Sequence, residues 1–156
     1  MASSNPNVFL HGVLVSIENT GVLITGESCI GKSDWALALV LGGHKLVADD
    51  VVVVQRNGDR LLGRAPERFA ALLAIREIGI VDIRKLAGYD GYQKVHKIDI
   101  CVEIREGSDR PIADEIAILG IKIPVYGVSS ARRRNHFALA ETVAKHNGPF
   151  LAIDEI

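Results

Sequence analysis

The run Gly26-Glu27-Ser28-Cys29-Ile30-Gly31-Lys32-Ser33 fills every fixed position of the pattern G-x-x-x-x-G-K-[ST]. The chemistry served by that pattern is phosphate binding. Its glycines let main-chain N–H groups turn inward onto phosphate oxygens, and a helix starting at the loop adds its dipole and its unpaired N–H groups. Lys32 is then placed to contact the β- and γ-phosphates of a nucleotide, and the Ser33 hydroxyl to ligate Mg²⁺. The plain alternative is a glycine turn that caps a helix by coincidence. An apolar strand pattern before the loop and a helical one after it favour the phosphate loop. Glu27 places an acidic side chain in this loop, and the reading requires it to point away from a nucleotide.

Asp49 and Asp50 are the second chemical signal, set in the apolar run LVADDVVVV. Two adjacent charges inside such a strand cost several kcal/mol if buried unpaired. In one reading, one carboxylate faces solvent and a turn satisfies the other. In the functional reading, the strand ends beside the phosphate loop, where one carboxylate holds Mg²⁺ through water and the other accepts a proton from an attacking hydroxyl. His11 is either a hydrogen-bonded strand histidine or a partner for these groups. Arg132, Arg133 and Arg134 form either a solvated basic face or an anion site, since the guanidinium fork suits phosphate. Cys29 reads as a small gap-filling residue in preference to an oxidisable thiol. Trp35 and Phe137 read as core, and Tyr89 and Tyr92 as part of a glycine-rich loop.

These residues need elements to hold them. Val8 to Glu18 reads as a strand, Asn19-Thr20-Gly21 as a turn, and Val22 to Thr25 as the returning strand of a hairpin. Asp34 to Leu41 is apolar nearly all round and predicts a buried helix, ended by Gly42 and Gly43. Lys45 to Val54 predicts one strand. Farther on, Pro66 to Ile75 predicts a short helix, Ile78 to Ile83 a strand or extended segment, and residues 84 to 96 a loop. Lys97 to Arg105 predicts a strand, Glu106 to Asp114 a loop and Ile116 to Val125 an extended segment. Phe137 to His146 carries helical spacing, stopped by Gly148-Pro149. The order predicts an α/β fold with a largely buried mixed sheet around the phosphate-loop helix.

Composition fits this reading. The chain has 156 residues, 48% hydrophobic and 24% charged, with a formal net charge of -1. One domain over residues 1–156 is the expectation at this length. These fractions exclude disorder as the dominant state, and near-zero charge gives no support to nucleic-acid binding. Cys29 and Cys101 are too few for a disulfide scaffold. No apolar run reaches the ~20 residues of a membrane helix, and the polar start lacks the order of a secretion signal. A soluble, cytoplasmic protein without membrane contact is expected.

Taken together, HGVLV, the hairpin, GESCIGKSD and GHKLVADDVVVV resemble the catalytic domain of bacterial HPr kinase/phosphorylase. A looser likeness runs through APERFAALLAIREIGIVDI, ILGIKIPV and RRNHFALAETVAKHN, so it spans most of the chain. The resemblance implies a P-loop kinase fold of the phosphoenolpyruvate-carboxykinase-like type. It also implies ATP and Mg²⁺ as cofactors, the phosphocarrier protein HPr or a paralogue as partner, and a homo-oligomer, a hexamer in that family. The implied reaction phosphorylates a serine of HPr with ATP and reverses by phosphorolysis, releasing pyrophosphate. Carried onto this chain, the phosphate loop falls on Gly26 to Ser33, with Lys32 the essential lysine and Ser33 the Mg²⁺ ligand. The catalytic histidine falls on His11. Asp50 becomes the proton acceptor and, in reverse, the donor, with Asp49 as its acidic neighbour and a further metal contact. A catalytic arginine falls on Arg110, and two further family arginines on Arg76 and Arg134.

Three departures stand out. Ala74 occupies the place of a metal-binding glutamate of the family, and Glu77 follows Arg76 where the family has glycine. The segment from Pro124 to Arg134 is longer, with Arg133 in place of glycine. A long N-terminal domain is not seen, so the chain is similar to the short forms. Two rival functions follow: a P-loop kinase for a small molecule, and a nucleotide-sensing module without turnover, suggested by Ala74.

Overall fold

The computed structural model describes residues 6–27, 30–106 and 114–129. Among them lie β1 (Asn7–His11), β2 (Val13–Ile17), β3 (Thr20–Gly26), α1 (Lys32–Leu41), β4 (Lys45–Ala48), β5 (Val51–Asn57) and β6 (Arg60–Arg64). After these come β7 (Leu72–Ile75), β8 (Gly79–Asp82), α2 (Ile83–Ala87), β9 (Val95–Lys97), β10 (Ile100–Arg105), β11 (Asp114–Ile118) and β12 (Ile121–Ser129). A six-stranded sheet runs β11-β12-β10-β3-β2-β4, and a four-stranded sheet runs β1-β5-β6-β9. The larger sheet is mixed: β10 lies parallel to both β3 and β12, while β2 runs antiparallel to β3 and β4. The expected mixed α/β architecture is therefore present. No helix among the described residues is long and apolar enough to cross a membrane.

Strand alternation builds the layers. Val13, Val15 and Ile17 join Val22, Ile24, Ile100 and Val102 in a core under Trp35, Ala36, Leu39 and Val40 of α1. Leu14, Leu23 and Cys101, on the opposite face, join Val52, Val54 and Leu61 of the smaller sheet in a second core. The central strands are thus buried on both sides, which explains their unbroken apolar runs. Helix α1 buries one face and leaves Ala38 and Leu41 exposed, a narrower burial than its all-round apolar sequence predicts.

Two expected strands each divide. The run Val8 to Glu18 becomes β1 and β2, and Lys45 to Val54 becomes β4 and β5; in both cases the chain crosses from one sheet to the other. Both halves of each run are apolar, so periodicity carries no mark of the break. The crossings sit side by side, joined by the Gly12 N–H donating to the Asp50 carbonyl at 3.0 Å. A Cβ on Gly12 would stand 2.7 Å from the Ile24 carbonyl oxygen, so the approach requires glycine. Asp50 turns the second crossing with φ 69°, a left-handed conformation that aspartate tolerates better than most residues.

Other expectations are corrected. The β2–β3 turn lies on Glu18 and Asn19, both with positive φ, and Thr20 already belongs to β3. Between Pro66 and Ile75 the chain makes one short turn at Glu67–Phe69 and then β7, whose Leu73 and Ile75 are buried on a period of two. The spacing of ERFAALLAI suits either period, and pairing with β8 decides for strand. The expected loop at 84–96 contains α2, capped by the Asp82 carboxylate accepting from the Arg84 N–H, and the start of β9. Lys97 to Arg105 is interrupted at Ile98 and Asp99, and Ile116 to Val125 folds into a hairpin around Leu119 and Gly120. The expected helix at Phe137 to His146 lies outside the described residues.

Candidate active site

The phosphate-loop residues join the end of β3 to the start of α1. Gly26 closes β3, where a Cβ would meet the Ile104 carbonyl oxygen at 2.8 Å. Gly31, with φ 111°, caps α1 in the left-handed region. Ile30 is buried in the core beneath the helix, anchoring the loop. Lys32 opens the helix and is itself buried, its Nζ donating to the Gly26 and Glu27 carbonyls at 2.8 Å each. Those bonds satisfy an ammonium group taken from water. The loop therefore combines a cation, a glycine-framed turn and a helix N-terminus, the combination that binds polyphosphate. Ser28 and Cys29 lie outside the described residues.

One helical position on, the Ser33 hydroxyl donates to Asp49 Oδ1 at 2.8 Å, and the Ala74 N–H donates to Asp49 Oδ2 at 2.9 Å. Asp49 thus ties α1 to β7. Burial pushes its carboxyl above the ordinary aspartate range, against the Ala74 and Ser33 hydrogen bonds that pull it down; the neighbouring Asp50 adds to the rise. Ser33 and Asp49 offer hard oxygen donors, which suit Mg²⁺. Among the described residues no group of three or more His, Cys, Asp or Glu side chains could hold a metal. The fit is therefore to an ion held by few protein oxygens and completed by phosphate oxygens and water, the usual arrangement for Mg²⁺.

The adjacent carboxylates part company at Asp50. Asp49 is 9% exposed, whereas the Asp50 side chain is 69% exposed and lies 3.4 Å from His11 Nδ1. The left-handed turn at Asp50 separates them, so one carboxylate serves the helix start and the other faces solvent. His11 ends β1 beside the same crossing, with its side chain half exposed. An exposed carboxylate held beside a histidine is an arrangement that suits a general base.

Structure thus brings Lys32, Ser33, Asp49, Asp50 and His11 to one end of the larger sheet. Arg76 and Glu77 stand exposed in the turn between β7 and β8, beyond the strand that reaches Asp49. Arg110 and Arg134, with Arg132 and Arg133, lie outside the described residues. The Ala74 amide was not foreseen as a site group. A main-chain donor leaves no trace in residue type, and only the β7–β8 pairing shows where it points.

The chain is similar to proteins of known family. A family model described as HPr Serine kinase C-terminal domain matches residues 3–148. HPr kinase/phosphorylase of Caldicellulosiruptor bescii is 37% identical over 150 residues, covering 91% of this chain and 48% of the relative. That of Halalkalibacterium halodurans is 37% identical over 147 residues, covering 89% and 47%. The chain spans about half the length of these curated relatives. The solved Hpr(Ser) kinase/phosphatase of Coxiella burnetii superposes with a TM-score of 0.82 at 32% identity, covering 90% of this chain and 96% of that one.

Proposed function

The chain belongs to the HPr Serine kinase C-terminal domain family, and from that premise we propose that it is an ATP-dependent kinase for a serine of the phosphocarrier HPr or a paralogue. The observation that carries the reading is the Ser33–Asp49 hydrogen bond beside the exposed His11–Asp50 pair. It ties the phosphate loop to Asp49, whose neighbour Asp50 presents an exposed carboxylate paired with His11. Residues 1–156 then act as one catalytic unit, working in the cytoplasm where HPr is met, as a homo-oligomer for which a hexamer is the expected form.

In this reading the triphosphate of ATP lies on Gly26 to Ser33, held by loop amides, the α1 N-terminus and Lys32. Lys32 exchanges its carbonyl partners for phosphate oxygens. The Ser33 hydroxyl, its direction fixed by Asp49, would hold Mg²⁺ with Asp49, and the ion would offset charge on the phosphate oxygens. Asp50 takes the proton of the HPr serine hydroxyl as its oxygen bonds to the γ-phosphorus and ADP leaves. His11 holds Asp50 in place. Arg110, Arg134 and Arg76 are assigned to the transferring phosphoryl group or its anionic partners. In the reverse direction inorganic phosphate attacks the phosphoserine, the P–O bond to serine breaks, and Asp50 returns the proton to the serine oxygen. Pyrophosphate is released. One carboxylate serves both directions by microscopic reversibility.

The names of two relatives, kinase/phosphorylase and kinase/phosphatase, support testing both directions. The test is intact-mass measurement of HPr-type carriers incubated with the protein and MgATP, with Lys32→Ala as control. One added phosphoryl group on a carrier serine, absent in the control, is expected. Added phosphate should then remove it with release of pyrophosphate. ATP binding without carrier modification would overturn the reading in favour of the sensing module, and transfer to a metabolite alone would favour a small-molecule kinase.

A further inference from the structure

Three strands of the larger sheet run parallel side by side, in the order β12-β10-β3. Ligands of open α/β sheets gather at the carboxyl ends of such strands. At that end β3 delivers the phosphate loop, and β10 delivers Glu103 and Arg105. Register sets Glu103 opposite Thr25 and Ile104 opposite Gly26. Arg105 therefore stands one position farther on, level with Glu27, whose carbonyl accepts from Lys32. The two strands approach closely there, since a Cβ on Gly26 would meet the Ile104 carbonyl oxygen at 2.8 Å.

Alternation decides which face Arg105 shares. Cys101 faces the second core, and Glu103 and Arg105 follow it on the same side of β10. The Cys101 Sγ lies 3.5 Å from the Thr25 hydroxyl. Thr25 in turn lies beside Gly12, where a Cβ would be 3.5 Å from the Thr25 methyl. Gly12 donates to the Asp50 carbonyl. One row therefore crosses this face, from Arg105 past Thr25 and Gly12 to Asp50. It places Arg105 and Asp50 on opposite sides of β3, the strand that feeds the phosphate loop, with β10 and β2 roughly 10 Å apart. The Arg105 side chain is 42% exposed and is oriented by Glu103, whose carboxylate accepts from its Nε. Among the described residues its two terminal amino groups have no hydrogen-bond partner. A guanidinium tethered through Nε presents that outer edge, which matches two oxygens of one phosphate. Resting on the nucleotide-binding step of the reading above, we infer that Arg105 binds the γ-phosphate of the nucleoside triphosphate, from the side of β3 opposite Asp50. Loop amides hold the phosphates that ADP and ATP share, so Arg105 is the group that distinguishes the triphosphate from the diphosphate.

The experiment is calorimetric titration of wild type, Arg105→Gln and Arg105→Lys with ADP and with the non-hydrolysable ATP analogue AMP-PNP, each with Mg²⁺. Arg105→Gln should weaken AMP-PNP about tenfold or more, the loss expected for one charge-assisted contact, and leave ADP affinity within about twofold. Arg105→Lys keeps the charge without the fork and should lose less on AMP-PNP, again with ADP unchanged. Should the glutamine variant fail to fold, the lysine variant reads the same selective loss. Unchanged affinity for both nucleotides in both variants would leave Arg105 and Glu103 as a surface ion pair and overturn the inference. An equal loss for ADP and AMP-PNP would also overturn it, by moving the effect to the shared phosphates or to the loop. Wild type that binds neither nucleotide overturns this inference together with the phosphate-loop reading. The selective loss in a protein that modifies no HPr-type carrier would support Arg105 at the γ-phosphate while overturning the choice of acceptor.

Discussion

Asp49 and Asp50 are neighbours with opposed environments, and their substitution should separate stability from activity. Burial holds the Asp49 carboxyl above its ordinary range. A folded-state pKa raised in this way gives stability that is full below the unfolded value and lost as pH rises through the folded one. Above the folded value the charge on Asp49 therefore subtracts from stability. Asp49→Asn removes that charge and keeps an oxygen for the Ala74 N–H, while the Ser33 hydroxyl can turn to accept. Its melting temperature at pH 7 should equal or exceed that of wild type, with phosphoryl transfer reduced; melting several degrees lower would show that the hydrogen bonds outweigh burial. Asp50→Asn should lower kcat by about 10²–10⁴, the usual share of a general base, with ATP affinity unchanged by calorimetry. At this scale the sequence marks candidates where the type of side chain would carry the chemistry. Lys32, Ser33 and the two aspartates announce themselves. Which aspartate is buried could not be read, because a single left-handed residue decides it.

The two sheet crossings are the elements that build the site. They touch through one hydrogen bond from Gly12 to Asp50, and the Ile24 carbonyl leaves no space for a Cβ at Gly12. Gly12→Ala must push β1 and β2 apart from β3. It should cost about 1–3 kcal/mol, the range for forced overpacking, visible as a lower melting temperature. It should also reduce transfer by moving His11 from Asp50, whereas wild-type stability in this variant would refute the crossing as a tight contact. Helix α1 and the β2–β3 hairpin were legible because a turn or a glycine marks each end. The crossings were not, since VFLHGVLVSI and KLVADDVVVV keep one apolar character through the break. The β7–β8 hairpin was hidden for a different reason: its apolar residues fit a helix as well as a strand, and only a partner strand resolves the period.

At the scale of the whole molecule, β2, β3 and β10 lie between α1 and the smaller sheet, so a polar or ionising group facing either core bears the full cost of burial. Cys101 is such a group. It lies 2% exposed in the second core with its Sγ 3.5 Å from the Thr25 hydroxyl. Burial pushes its thiol from 9.0 up to about 11, opposed by the Thr25 contact. Below pH 9 the thiol is protonated in folded and unfolded chains alike and contributes nothing to pH dependence. As pH rises from about 9 to about 11 the unfolded chain loses this proton and the folded one retains it, so stability falls. A two-unit gap corresponds to about 2–3 kcal/mol. Denaturant midpoints measured from pH 8 to 11 should therefore fall more steeply for wild type than for Cys101→Ala. The comparison of slopes cancels the tyrosines and lysines that titrate in the same interval, and removes the constant cost of the smaller side chain. Parallel slopes would mean that the thiolate is accommodated in the core, and that the layer between the two sheets is open to water.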